Sequence, residues 1–383
     1  MDRKKIIIIS SIGAGVLILI GILIYLIIPK KSPTNQPALS GSPVASVSAN
    51  SNSGSSQYSI LNEILPANIV SFVWSDTDQK FAAISSNGFL YSIDPANNFI
   101  GSTTTNFGVS GIVKVVWSPD KSKAVIYRNE NNVLKKFYFD AGSQKTLSLD
   151  DQIGATAFSP KSDQILYVFN QSQNGVLKSF LSTSNPDGTK WKNLSTFPMP
   201  DALLYWPLTT KAYATSPASG LLPNSVYSID VKTGSLQKFL TEQNGQQVKF
   251  SPSSNKLLYS FVDDRGRNLQ LFYKNMQTNA TVLLPIKTLP EKCSFDAAEE
   301  NIFCAVPNKI PSNAILPDDY YDSNINSTDN LWVYNIESNS ASQIIFSENI
   351  APISIKTLEV SPDGSYIIFI SQKDGRLFRL QIK

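Results

Sequence analysis

Histidine is absent from all 383 residues. That excludes Ser-His-Asp and Cys-His nucleophile activation, and any imidazole metal ligand. It also removes the usual general base near neutral pH. Any catalysis would fall to carboxylates, lysine or tyrosine. Cysteine is nearly absent: Cys293 and Cys304 are the only two, and two thiols cannot complete a structural zinc site. Charged residues make up 16% of the chain, and no dense Lys/Arg run follows Lys31. The net charge of +3 arises at the amino-terminal end. Taking Arg3, Lys4, Lys5, Lys30 and Lys31 from the 33 cations, and Asp2 from the 30 anions, leaves 28 against 29. A nucleic-acid-binding domain carries a basic stripe on its folded surface, so nucleic acid is not an expected partner. No cofactor is called for.

What is present divides the chain into four stretches. Residues 1–5 form a short cationic tail. Ile6 to Ile28 is 23 residues without a charge. At 1.5 Å per residue such a helix spans roughly 35 Å, enough for a hydrocarbon core of about 30 Å. The run is longer than a signal-peptide core and no A-x-A cleavage site follows closely, so a retained transmembrane helix is expected. The cationic tail places the amino terminus in the cytoplasm and the rest outside the cytoplasmic membrane. Ser11 with Gly15, and Ser10 with Ala14, have small-xxx-small spacing. That would support weak helix-mediated homo-association or simply face lipid. Residues 29–57 are rich in Ser, Pro and Asn, uncharged from Ser32 onward, and too poor in apolar surface to fold. They predict a flexible linker.

Residues 58–383 carry a repeat. An apolar strand ending in an aromatic meets a Ser-Pro-Asp-Gly-like turn, and a second apolar strand comes next. The copies are Trp74-Ser75-Asp76, Trp117-Ser118-Pro119-Asp120, Phe158-Ser159-Pro160, Phe250-Ser251-Pro252 and Val360-Ser361-Pro362-Asp363-Gly364. Degenerate copies stand at Tyr205-Trp206-Pro207 and Phe295-Asp296. The steps are 43, 41, 47, 45, 45 and 65 residues. Five of the six match the length of a four-stranded propeller blade. Proline presets φ at the second turn position, and Asp and Gly tolerate the backbone angles of the later turn positions. Lys123–Arg128, Gln164–Phe169, Lys256–Phe261 and Tyr366–Ile370 are continuous apolar runs, as strands buried on both faces should be. The expectation is an all-β, seven-bladed β-propeller of four-stranded antiparallel blades, preceded by one transmembrane helix. The last copy lacks a fourth strand. Tyr58–Leu65 precedes the first copy, so it should close the ring by pairing with Leu377–Leu380, which also removes exposed sheet edges.

The Trp-Ser-Pro-Asp and Ser-Pro-Asp-Gly turns resemble the WD-like propeller repeats of the TolB type. The resemblance covers residues 58–383 and implies the fold. The TolB family carries an additional N-terminal α/β domain that nothing here matches, so no TolB role is carried over.

If Phe295 pairs with Ile302, the same antiparallel register sets Cys293 opposite Cys304. A cross-strand disulfide then fits an oxidising compartment. Two free buried thiols are the other reading. Strand alternation places the loops between second and third strands at the end opposite the linker. Three consecutive copies elaborate those loops: Ser216–Ser225, Asp263 to Arg267, and an insertion Pro307–Asn330 that accounts for the step of 65. Loops on a rigid scaffold carry function. Asp318, Asp319, Tyr320, Tyr321, Asp263, Asp264, Arg265 and Arg267 are therefore the candidate contacts, offering rings, acceptors and cations. A surface loop packed on its own tyrosines is the plainer alternative. Asp322, Asn324, Asn326 and Asp329 alternate oxygen ligands but lack the glycine and glutamate of a calcium loop, and no metal site is expected. The expected function is a membrane-anchored extracytoplasmic module that binds or scaffolds a protein, peptide or glycan without catalysis. The alternative is an extracytoplasmic carboxylate-based hydrolase or lyase. Converging Asp, Glu, Lys or Tyr side chains around an axial channel would favour the latter.

Overall fold

The structure is a computed structural model that describes residues 61–325, 327–345 and 352–382. The expected tail (1–5), transmembrane helix (6–28) and linker (29–57) lie outside the described residues, as do 58–60 and Asn326. Among the described residues no helix is long and apolar enough to cross a membrane.

Residues 57–383 form one compact unit. Its described strands build five four-stranded sheets and one of seven strands, and every pairing is antiparallel. Each sheet follows the expected order. A first strand ends at the motif, a second returns, and the third and fourth lie progressively outward. The seven-stranded sheet is two such units sharing Leu236–Phe250. The fourth strand of one unit runs on as the first strand of the next. A register shift between Asn244 and Gln247 marks the division. Gly245, at φ +62° and close against Leu316 and Pro317, supplies the bend there, because a side chain would collide with that neighbour.

The turn motif has a local cause. Ser118 Oγ donates to Asp120 Oδ1 at 2.5 Å and accepts from Lys123 N at 2.9 Å. Ser361 repeats this with Asp363 and Tyr366 N. Each serine is buried, so its hydroxyl satisfies a returning backbone N–H that solvent could not reach. The second strands are the most buried: Ile367, Ile368, Phe369 and Ile370 are each 0% exposed.

Leu61–Leu65 pairs with Leu377–Gln381, with Leu61 opposite Leu380 and Leu65 opposite Leu377. The amino-terminal strand is thus the outer strand of the last sheet. Leu65 also packs with Ile69, Phe81, Ile93 and Ile370 of the first and last sheets. Cys293 and Cys304 stand opposite one another and form a disulfide, with Cα atoms 4.1 Å apart. Phe295 faces Ile302 in the same ladder.

Candidate functional site

One cavity of about 900 Å³ is lined by the first strand or the first turn of all seven strand units. Trp74, Lys114, Phe158, Tyr205, Lys249 and Glu359 represent six of them, and Ser294 the remaining one. A wall contributed by every first strand is what a radial arrangement around an axis produces. Its rim is made by first-to-second-strand turns, where Asp76, Pro119, Pro252, Ala297 and Pro362 are exposed. Leu61–Leu65 is a fourth strand, and strand alternation starts it at this same end. The mouth therefore opens where the described chain begins.

Charged side chains occur on the innermost strands, where repeat logic expects apolar ones. Lys249 stands between Val248 and Phe250, and its Nζ donates to the Cys293 carbonyl. Glu359 stands between Leu358 and Val360. Burial pushes the Lys249 ammonium down and the Glu359 carboxyl up, and the attraction between the two opposes both shifts. Lys114 lies 5.3 Å from the centre of the Tyr127 ring, and burial lowers its ammonium too. Trp74, Trp117, Trp206 and Phe158 add aromatic wall.

A second cavity of about 230 Å³ shares Leu203, Tyr205, Val248 and Lys249 with the first and extends toward the other end. Gln246, Gln247, Glu291 and Tyr321 also line it. Glu291 is the central group. Burial pushes its carboxyl up to about 7, against the pull of Lys292, Lys249 and Lys356 and a hydrogen bond from the Tyr321 hydroxyl. Tyr205 is pushed up to about 12, again by burial.

Tyr321 arrives here on the long insertion. Between Asn301–Pro307 and Asp329–Asn335 the chain crosses onto neighbouring units and forms one helical turn, α1 (Asp318–Tyr321). Leu316 N donates to Gly266 O at 2.8 Å, and Gly220 N donates to Asp318 Oδ2 at 2.6 Å. Tyr320 Oη donates to Ile355 O at 3.0 Å. Beneath Tyr320 lies a buried ion pair: Lys292 Nζ is 2.6 Å from Asp329 Oδ1 and 4.9 Å from the Tyr320 ring centre. Asp329 Oδ2 also accepts from Ile355 N.

These contacts account for several of the sequence-derived candidates. The insertion does bring the Asp263–Arg267 loop and the Asp318–Tyr321 segment together. Asp318 holds Gly220. Asp319 Oδ2 accepts from Ile315 N, which lowers its carboxyl. Tyr320 is buried, and burial raises its hydroxyl. Asp263 accepts from the Arg267 and Arg265 backbones, so its carboxyl is lowered as well. Asp264, Arg265 and Arg267 are exposed, and Tyr321 reaches the cavity. In the weighed calcium loop, Asp329 is committed to Lys292 and Asn324 donates to Asp319. Among the described residues no group of three or more Cys, Asp or Glu could hold a metal ion.

Lys114, Lys249, Glu291 and Glu359 are absent from the candidates that the loops suggest. Three of them carried a signal, since each is a charge between two apolar neighbours in a strand ending at the motif. Glu291 stands in the short connection Pro290–Lys292 and had none.

No protein-family model matches the sequence, and no curated protein does. Solved structures do match. An oligogalacturonate lyase from Vibrio parahaemolyticus aligns over 86% of this chain and 95% of its own, with a TM-score of 0.57 and 10% identity. The β-propeller domain of Cps50 (Swd1) from Myceliophteria thermophila aligns over 85% of this chain and 100% of its own, with a TM-score of 0.57 and 10% identity. TolB from Acinetobacter baumannii aligns over 83% of this chain and 65% of its own, with a TM-score of 0.45 and 14% identity. The described unit has the β-propeller fold.

Proposed function

We propose that this chain is a membrane-anchored, extracytoplasmic β-propeller of seven four-stranded blades that binds a protein, peptide or glycan without catalysis. The observation carrying the reading is the 900 Å³ axial cavity, open at a rim of exposed turns and walled by aromatic rings and lysines. Rings give area at low entropic cost, and the lysines give an anionic group a place to settle. The uncharged 6–28 segment supplies the anchor, and the disulfide suits an oxidising compartment. Asp264, Arg265 and Arg267 offer a further contact surface at the other end. The test is an array of peptides and glycans probed with the purified chain, and with a variant, Lys114→Gln/Lys121→Gln, at two of the lysines that line the cavity. A hit whose affinity drops about tenfold or more in a variant of unchanged melting temperature supports the channel as the site. Hits indifferent to both lysines would remove it.

A second reading, a carboxylate-based hydrolase or lyase, is favoured by one observation. Glu291, with its carboxyl near 7, sits beside Tyr321 and Lys249 in a cavity joined to the channel, the kind of group that moves protons near neutral pH. One matched fold is an oligogalacturonate lyase. Ultraviolet detection of unsaturated product from oligogalacturonate, lost in Glu291→Gln, would decide for this reading.

A further inference from the structure

The charges on the wall of the wider cavity do not balance. Lys114, Lys121 and Lys249 line it against Asp76 and Glu359. Glu359 answers two of the cations, since Lys249 and Lys121 both pull its carboxyl down against burial. Asp76 stands exposed on the rim, and its Oδ1 accepts from Trp74 Nε1 at 2.9 Å. Lys114 is left over. Among the described residues no hydrogen bond or ion pair engages its ammonium; the contact it makes is with the Tyr127 ring, 5.3 Å from the centre.

Tyr127 stands opposite Lys114 in the pairing of Ile112–Trp117 with Lys123–Glu130. It offers no counter-charge. Burial pushes its hydroxyl up to about 12, and that hydroxyl is engaged with Thr156 Oγ1 at 2.8 Å and Gly154 O at 3.1 Å. Lys114 is exposed, yet burial lowers its ammonium. Protein crowds the group while solvent still reaches it, as in an open channel. A crowded ammonium without a counter-charge gains more from an arriving anion than a surface lysine does.

The rest of the wall narrows the choice of anion. Trp117, Phe158 and Trp206 supply ring surface. Most hydrogen-bonding groups nearby are already engaged. Trp117 Nε1 donates to Ser71 Oγ at 3.0 Å, Ser251 Oγ accepts from Lys256 N at 3.2 Å, and Ser294 Oγ donates to Phe295 O at 3.2 Å. A sugar brings several hydroxyls to each ring and would leave some of them unpaired against such a wall. A carboxylate carried between apolar side chains asks for one cation and for ring surface. We infer that the wide cavity takes an acidic peptide, with a carboxylate flanked by apolar or aromatic side chains seated at Lys114. An acidic side chain and a chain's carboxyl terminus present the same group. The inference rests on the binding reading above and narrows it from protein, peptide or glycan to an acidic peptide segment.

The test is titration calorimetry on the full chain in detergent micelles, with N-acetylated, C-amidated Phe-Glu-Phe against Phe-Gln-Phe and Phe-Lys-Phe. The Glu peptide should bind saturably and at least about tenfold more tightly than the Gln peptide, with the Lys peptide weakest. In Lys114→Gln the preference for Glu over Gln should collapse to within about twofold, and Lys114→Arg should keep most of it. Equal binding of the Glu and Gln peptides would overturn the inference. So would a preference that survives Lys114→Gln in a variant of native circular dichroism. Should that variant misfold, the three peptides on the unaltered chain still decide. N-acetylated Phe-Phe with a free carboxyl end, compared with its amide, then separates the chain end from the side chain as the source. Absence of saturable binding by every peptide would overturn the inference too, whereas a glycan hit that needs the channel lysines would leave the binding reading standing.

Discussion

At the residue scale, the buried pair Lys292–Asp329 fastens the insertion to the sheets beneath it. Both side chains are almost fully enclosed, at 2% and 1% exposure. Asp329→Ala would strand the ammonium under Tyr320 and should cost about 3–5 kcal/mol in urea unfolding. The double change Lys292→Met/Asp329→Leu removes both charges and should recover part of that. A deficit of roughly 1–3 kcal/mol should remain, because Ile355 N loses its acceptor. A double variant as unstable as the single one would show that packing, not charge, dominates there. Glu291 gives a pH signature. Its carboxyl ordinarily titrates near 4.5 and is held here near 7, so the folded chain binds more protons in between. Its contribution to stability is complete below 4.5 and is lost as pH rises through 7. Urea midpoints should therefore fall between about pH 5 and about pH 8, and Glu291→Gln should flatten that slope. Lys249, Lys292 and Lys356 oppose the shift, so replacing any of them should steepen it.

At the scale of elements, ring closure is the contact with most at stake. Removing residues up to Pro66 would expose the Leu377–Gln381 edge and withdraw Leu65 from the core between first and last sheets. The truncated chain should lose its cooperative melting transition and aggregate, whereas a truncation ending at Ser56 should not. Light scattering during thermal melts distinguishes them. Reducing the Cys293–Cys304 bond, which closes a separation of 11 residues, should cost about 3 kcal/mol. The elements were legible because a Ser-Pro-Asp turn must lead into a returning strand, and the step between turns measures the sheet. Closure by Tyr58–Leu65 was legible in outline because the last repeat lacked a partner, and pairing is seen from Leu61 onward. The cysteine pairing came from register. The fused strand Leu236–Phe250 was not legible, since a loop and a continued strand share polar residues such as Glu242 and Asn244. Nor was the path of the insertion. Its burial depends on Gly220, Gly266 and Ile355, residues far apart in sequence that a loop's own composition cannot reveal.

At the scale of the whole molecule, the two ends of the axial cavity do different work. At one end the insertion spans several units and sets Tyr321 at the narrower cavity. The other end is wide and rimmed by turns, and it is the end from which Leu61–Leu65 starts. Loop elaboration alone pointed to the end away from the linker, where much of the elaboration is spent on holding the insertion down. The wide mouth lies at the other end, where Leu61–Leu65 starts. On the proposed topology, a partner must then fit between the mouth and the membrane. A coil of 26 residues gives a typical reach of about 25–30 Å, and one of about six residues only about 13 Å. Deleting 20 residues from within Ser32–Gln57 should therefore abolish binding of a folded protein partner to the membrane-embedded chain. The affinity of a short peptide fragment of the same partner should stay unchanged. Both can be measured on proteoliposomes by the same fluorescence titration. Equal loss for protein and fragment would mean that the deletion damaged the propeller. No loss for either would mean that the partner approaches from the end bearing the insertion, and the Asp264, Arg265 and Arg267 surface would become the site to mutate.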